Sequence, residues 1–319
     1  MQNPDVEHGV PGRRVATIDI GTNTILLLVG EVGAGGELSR VLDHCRFGRL
    51  GQGVDAGKSL DPAAIARSLE ILREYAALLA DAGAQRVAAV GTQALREATN
   101  ASAFLEPAAA IIGSPVEVIS GEREAELVYR SVHTCLPELG RNELVVADVG
   151  GGSTEVIVGK GGEIISFSSL PIGAVRLTER HLRSEPPIAD ENRALVTDID
   201  FALAQLALPA GASLVGTSGT ATTLVAVEKH LRDYDPDAIH GQTIDVGEVE
   251  RQLASLLELT VAERRRIPGM QPERADVIAA GVAVYARLLH RLGAPEMIVS
   301  DRGVRWGLAY ELARAQSTM

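Results

Sequence analysis

Val15-Ala16-Thr17-Ile18-Asp19-Ile20-Gly21-Thr22-Asn23-Thr24 and Val145-Val146-Ala147-Asp148-Val149-Gly150-Gly151-Gly152-Ser153-Thr154 are two versions of one phrase, and the repeat decides the fold. In each copy an apolar run reads as a strand, an aspartate follows, and glycine and hydroxyl residues make a tight turn. A second apolar strand leaves the turn, over 25–29 in the first copy and 155–158 in the second. Aligning Asp19 with Asp148 also aligns Gly21 with Gly150, Thr24 with Ser153, Val29 with Val158 and Gly30 with Gly159, so a single offset serves all five. A glycine-rich hairpin turn aims several backbone N–H groups at one point, which suits phosphate oxygens, and an aspartate at the strand end can hold a metal ion or its waters. Two such hairpins facing one another make a clamp.

Strand and helix alternate on either side of these hairpins, the pattern of an α/β protein. Asp61 and Pro62 open a helix that runs to about Ala82, 86–90 is a buried strand, 92–98 a turn entering a helix, 116–119 a strand and 122–134 a helix. The plan repeats from Glu143, with hairpin strands at 144–147, 155–158 and 164–168. Helices follow near 174–182 and 190–207, then a strand at 213–217, helices at 220–230, 246–259 and 274–292, a strand at 297–300 and a last helix. We expect a polar N-terminal tail over 1–13, a first domain over 14–138 and a second over 139–319. The last helix, 304–315, could pack back across the first domain.

With 319 residues, each domain can bury its own core, and with only 3% aromatic residues those cores fall to Ala, Val, Leu and Ile. No apolar run is long enough to span a bilayer and no apolar secretion signal opens the chain, so a soluble cytoplasmic protein is expected, away from membranes. Cys45 and Cys135 have no metal-type spacing around them and the histidines show none either. A net charge of −12 speaks against a nucleic-acid partner. It leaves room for a small anionic ligand, because all the basic residues except Lys58, Lys160 and Lys229 are arginines, whose planar fork binds phosphate bidentately.

Four further turns carry chemistry-bearing residues. Ile119-Ser120-Gly121-Glu122-Arg123-Glu124-Ala125-Glu126 ends a strand and starts a helix with carboxylates. Glu122, nearest the turn, is best placed to face a cleft and to take a proton from a water attacking phosphorus. Arg96, in Thr92-Gln93-Ala94-Leu95-Arg96-Glu97-Ala98, is a candidate for holding a phosphoryl group during transfer. Gly216-Thr217-Ser218-Gly219-Thr220-Ala221-Thr222-Thr223 opens a helix whose N-terminus is a natural anion site, with Ser218, Gly219 and Thr220 at its mouth. In Ser300-Asp301-Arg302-Gly303-Val304-Arg305-Trp306-Gly307, Arg302 and Arg305 are candidates for gripping an extended anion. The stretch 51–59 imitates a Walker loop, but Gln52 stands where the first glycine is needed.

Taken together with 49–53 and Ser169-Leu170-Pro171-Ile172-Gly173-Ala174-Val175-Arg176, these stretches resemble the exopolyphosphatase and guanosine pentaphosphate phosphatase family of the acetate kinase, sugar kinase, Hsp70 and actin superfamily. The resemblance implies an α/β fold of two ribonuclease H-like domains with mixed sheets flanked by helices. It also implies Mg²⁺-dependent hydrolysis of linear polyphosphate or a guanosine polyphosphate in the interdomain cleft, with Mn²⁺ or a monovalent cation such as K⁺ as further candidate ions. By motif position it makes Glu122 the catalytic base, supported by Arg96. The turn of Asp19, Gly21, Thr22, Asn23 and Thr24 and that of Gly150, Gly151, Gly152, Ser153 and Thr154 become the phosphate loops. Asp148, Glu155 and Asp19 become the metal ligands, and a homodimer is implied. Longer relatives add C-terminal helical domains that this chain stops before, which favours short phosphate chains. The alternatives are hydrolysis of the 5′-terminal phosphate of guanosine pentaphosphate, phosphotransfer to ADP or another acceptor, and phosphate sensing without catalysis.

Overall fold

The computed structural model describes residues 13–315. The expected N-terminal tail lies outside the described residues except for Arg13, which opens the first strand. In the first half, β1 (Arg13–Ile20), β2 (Ile25–Val32) and β3 (Leu38–Arg46) form an antiparallel meander, while β4 (Arg86–Gly91) and β5 (Val116–Val118) add in parallel to give the order β3-β2-β1-β4-β5. The second half repeats this. There β6 (Leu144–Val149), β7 (Thr154–Lys160) and β8 (Glu163–Leu170) make the meander, β9 (Ser213–Thr217) runs parallel to β6, and β10 (Gln242–Asp245) and β11 (Glu296–Val299) complete the order β10-β11-β9-β6-β7-β8. The repeat legible in ten residues thus extends over three strands and a parallel fourth.

The first sheet is accompanied by α1 (Val54–Gly57), α2 (Pro62–Asp81), α3 (Gln93–Glu97), α4 (Ser102–Ile112) and α5 (Gly121–Cys135). The second is accompanied by α6 (Ala174–His181), α7 (Ala189–Ala204), α8 (Ser218–Glu228), α9 (Pro236–Ile239), α10 (Val246–Glu258), α11 (Val261–Arg264) and α12 (Ile278–Leu292), and α13 (Val304–Arg314) follows. Local signals set the ends. The Asp61 carboxylate accepts from the Ala63 and Ala64 amides ahead of a proline at the first helical position, a cap worth about 1 kcal/mol. From there Ile71, Leu72, Tyr75 and Leu79 give α2 a buried stripe.

Each sheet has a core of its own. One gathers Ile18, Leu27, Leu72, Tyr75 and Phe104, and the other gathers Val145, Leu195, Leu224, Val284 and Leu288. A third cluster joins the halves, with Val90 from the first sheet and Ile119 just after β5, Val146 and Ile157 from the second sheet, Leu127 and Val128 from α5 and Val304 and Leu308 from α13. α13 returns to the first half, where Trp306, Ala309 and Tyr310 pack on Leu28 and the Thr17 hydroxyl donates to the Arg305 carbonyl at 2.8 Å.

Three departures from the sequence reading have physical causes. β3 was not expected, because Arg40, Asp43, His44 and Arg46 interrupt its apolar pattern; it is an edge strand and carries charge as such strands do. β10 was hidden by its four-residue length, and Asp245 at its end caps α10 by accepting from the Glu248 amide. The helix expected over 274–292 begins only at Ile278, after a short 3₁₀ turn over Pro272–Arg274. That break turns Arg274 out of the helix. Among the described residues no helix is long and apolar enough to cross a membrane.

Candidate active site

The two glycine turns are built alike and touch. Gly21 N–H donates to the Thr24 carbonyl at 2.9 Å and Gly150 N–H to the Ser153 carbonyl at 3.0 Å. A Cβ on Gly151 would lie 3.0 Å from Thr22 Cβ, and one on Gly152 would lie 1.6 Å from Gln93 Oε1 and 2.9 Å from Thr22 Oγ1. Any larger residue at 152 would displace the Gln93 amide and crowd the Thr22 hydroxyl, both side chains of the first half. The paired turns form one wall of a cavity of about 230 Å³ to which both halves contribute.

Of the residues proposed for the phosphate loops, Asp19, Gly21, Thr22, Asn23, Thr24, Gly150, Gly151, Gly152 and Ser153 line this cavity, as do Asp148, Ser218, Gly219 and Thr220. Ser218 sits at φ 70° and its hydroxyl donates to the Val149 carbonyl at 2.9 Å, which ties the start of α8 to the second glycine turn. Thr154 does not reach the cavity. It is fully buried, and its hydroxyl donates to the Ile172 carbonyl.

The carboxylate on the helix after Ser-Gly is not the expected one. Glu122 is exposed and outside the cavity, whereas Glu124 is buried and lines it. The cause is where the helix starts. The Ser120 hydroxyl caps α5 by accepting from the Arg123 amide at 3.1 Å, and two residues along a helix turn a side chain by about 200°. Glu124 therefore falls in line with the buried Val128 and Val132, and Glu122 faces solvent.

Arg96 lies behind Glu124 instead of in the cavity. Its Nη1 donates to Glu124 Oε2 at 2.7 Å and to the Ile119 carbonyl at 2.9 Å. Arg302 is also removed from the site: its guanidinium lies 4.3 Å from the Trp306 ring centroid and donates to the Tyr310 hydroxyl at 3.1 Å. Arg305 does line the cavity, but a bidentate pair with Asp43 at 2.9 and 3.0 Å and a third bond to Asp301 at 3.0 Å commit it to carboxylates.

A different arginine faces the cavity. Arg274 is 9% exposed, forms no ion pair with a carboxylate among the described residues, and shares its hydrogen bonds with Gln271 Oε1. Its guanidinium stands 5.2 Å from the Phe47 ring centroid, and a Cβ on Gly219 would lie 2.1 Å from its Nη1. Burial lowers its pKa below the usual arginine range. A buried guanidinium in no ion pair among the described residues, set against the N-terminus of α8, suits an anion.

Opposite it lies a cluster of acids. Burial pushes the Asp19 carboxyl up to about 8, with the charges of Glu124 and Asp148 adding to the rise, and Asp19 Oδ1 has no hydrogen-bond partner. Burial lifts Asp148 to about 6 against hydrogen bonds from Thr217 and Ser218. Glu124 is raised by burial against the pull of Arg96, and Glu155 is raised by burial and then by Glu124 and Asp148. Glu155 does not line the cavity; it is 1% exposed and accepts from the Ser169 hydroxyl at 2.7 Å. Among the described residues no three acid, histidine or cysteine groups close around an ion by themselves. The donors that do face the cavity, Asp19 and Asp148, are both oxygen ligands in a site short of positive charge, which fits a hard divalent cation that completes its shell with water and phosphate oxygens.

The chain matches the model of the Ppx/GppA phosphatase family over residues 28–316. It is 40% identical over 316 residues to Exopolyphosphatase 2 of Mycobacterium tuberculosis, an alignment that covers 94% of this chain and 98% of that protein. It is 31% identical to the guanosine-5′-triphosphate,3′-diphosphate pyrophosphatase of Photobacterium profundum, over 93% of this chain and 59% of the longer relative. The fold superposes on the crystal structure of the Aquifex aeolicus Ppx/GppA family member with a TM-score of 0.81 at 34% identity, covering 96% of this chain and 99% of that one. Two mixed sheets, a shared cavity and paired glycine turns therefore belong to a member of the Ppx/GppA phosphatase family.

Proposed function

We propose that this protein is an exopolyphosphatase, releasing orthophosphate from the end of an inorganic polyphosphate chain. One observation carries the reading: a buried carboxylate, Glu124, shares a single cavity with two glycine turns and with the guanidinium of Arg274, which is in no ion pair among the described residues. The terminal phosphoryl group lies against the turns, where the amides of 22–24 and 151–153 meet its oxygens. Arg274 and the start of α8 hold the phosphates behind it.

Glu124 orients a water in line with the bond to be broken and takes its proton, a role worth about 10²- to 10⁴-fold in rate. Arg96 is a positioning residue, since it fixes the Glu124 carboxylate from the side away from the cavity. Asp148 and Asp19 would hold Mg²⁺, which neutralises phosphate oxygens when bound; Mn²⁺ suits the same ligands. Most of the barrier falls through positioning and charge stabilisation, as in other phosphoryl transfers.

The second reading is removal of the 5′-terminal phosphate of guanosine pentaphosphate, in keeping with the name of the longer relative from Photobacterium profundum, guanosine-5′-triphosphate,3′-diphosphate pyrophosphatase. Phosphate release with Mg²⁺ from short polyphosphate, long polyphosphate and guanosine pentaphosphate separates the readings. Preferential release from polyphosphate, lost in Glu124→Gln and kept in Glu122→Gln, is expected. Release chiefly from the nucleotide moves the assignment to the second reading, and release that needs ADP points to phosphotransfer.

A further inference from the structure

Arg274 ends a short 3₁₀ turn, and Ala275, Asp276 and Val277 follow in turns before α12 begins at Ile278. Arginines hold this segment in place. The Pro272 carbonyl accepts from Arg265 Nε at 3.4 Å, the Ala275 carbonyl from Arg264 Nη1 at 3.4 Å and the Glu273 carbonyl from Arg49 Nη2 at 2.6 Å. Arg264 and Arg265 come from the second half, as Arg274 does, whereas Arg49 reaches across from the first and makes the shortest of the three bonds. Arg49 also takes Asp276 in its fork, at 2.7 Å from Nη1 and 3.2 Å from Nη2.

The first glycine turn sets Arg49 in its turn. The Arg49 N–H donates to the Asn23 carbonyl at 2.9 Å, and Gly51 N–H donates to the Thr22 carbonyl at 2.9 Å. Arg49 has φ 49°, in the left-handed region, which a residue with a side chain keeps only where its surroundings hold it there. Phe47, whose ring faces the Arg274 guanidinium, lies two residues earlier on the same loop. A loop tied to the turn that meets the phosphoryl group therefore touches Arg274 and a neighbour on either side of it.

We propose that Arg49 is a positioning residue for the anion grip: through Glu273 and Asp276 it sets Arg274 relative to the first glycine turn, and it keeps Asp276 from pairing with Arg274. The proposal rests on the reading of Arg274 as a phosphate contact. Asp276 is two residues from Arg274, and its charge is felt at that guanidinium. Released from Arg49, it competes with phosphate for Arg274, because a buried charge that has lost its partner is costly. Arg49 itself does not line the cavity, so it acts on the substrate through Arg274.

Calorimetry with inorganic phosphate, and steady-state kinetics with the substrate that the release assay favours, test this on the full chain. Arg49→Met is expected to raise KM and to weaken phosphate binding about 10-fold, the lower end for a charged hydrogen bond lost at the grip, with kcat little changed. Asp276→Asn opens the same pair and is expected to act in the same direction but less, because the competing charge goes with it. In an Arg274→Ala background Arg49→Met is expected to add nothing, since the group it positions is gone. A raised KM in Arg274→Ala beside unchanged values in Arg49→Met and Asp276→Asn overturns the inference. So does a loss that multiplies in the double variant, or one confined to kcat. If Arg274→Ala alone leaves KM and phosphate binding as they were, the grip itself is misassigned and the inference falls with it.

Discussion

Arg96 Nη1 stands 2.7 Å from the Glu124 carboxylate, and the same nitrogen holds the Ile119 carbonyl one residue ahead of the cap of α5. One side chain thus fixes both the acid and the start of the helix that carries it. Replacing Arg96 by Gln removes a charge and a hydrogen bond that hold the Glu124 pKa down. The acid limb of the kcat profile is expected to move to higher pH, since a base with a raised pKa needs a higher pH to ionise, and kcat is expected to fall about 10- to 150-fold, the worth of a charged hydrogen bond. A pH–rate profile of the variant checks both.

Glu124→Gln is expected to lower kcat by about 10²-fold or more with little change in the melting temperature, and Glu122→Gln to leave kcat as it was. Equal losses in the two variants would contradict the burial of one and the exposure of the other.

Arg274 makes no ion pair with a carboxylate among the described residues, so Arg274→Ala removes an anion contact without breaking a salt bridge. We expect weaker binding of product phosphate and a raised KM, each about 10- to 150-fold, from the loss of a charged hydrogen bond of about 1.5–3 kcal/mol. Calorimetry with inorganic phosphate reads the first and steady-state kinetics the second.

The acid cluster gives the metal-free protein an unusual pH dependence. The folded pKa values of Asp19 and Asp148, about 8 and about 6, lie above the unfolded value of 3.8, so the folded state binds more protons in this range. Stability is therefore fullest below 3.8 as far as these groups are concerned, and is lost as pH rises through about 6 and then about 8. A melting temperature that falls from pH 5 to pH 8 in chelator, and falls much less with Mg²⁺, is the expected outcome. The opposite slope in chelator would mean that these acids are charged in the fold.

Arg176 ties the halves together beside the glycine turns. Its Nε donates to the Gly152 carbonyl at 2.8 Å, its Nη2 to Glu97 at 2.8 Å, and its Nη1 to Asp55. The side chain is 7% exposed, and Arg176→Ala is expected to destabilise by roughly 1.5–3 kcal/mol, because Asp55 and Glu97 each lose a charged hydrogen bond across the halves while Arg180 and Lys58 still pair with them. Denaturant melts compared with Arg176→Met, which keeps the volume but not the charge, separate lost packing from lost pairing.

The parts of this molecule that sequence made legible are those decided locally. A glycine whose Cβ would meet the Thr24 or Ser153 carbonyl at 3.2 Å belongs to a turn that ten residues specify, so both hairpins and the α/β alternation could be read directly. The choice between Glu122 and Glu124 depended on one cap, and the stripe of Val128 and Val132 would have signalled the right face. Arg274 left no such trace. Its sequence runs on smoothly into α12, and it becomes part of the site only because Phe47 and Gly219, both distant in the chain, approach it. Arg302 and Arg305 sit beside the cavity in sequence terms, but Trp306, Tyr310, Asp43 and Asp301 claim them.

The return of α13 to the first sheet bears on how the chain can be made. Leu28, on the second strand to leave the ribosome, finishes its packing only against Trp306, Ala309 and Tyr310. The core of the first half can close early, but its flank at Leu28 stays uncovered until about 280 further residues have been synthesised.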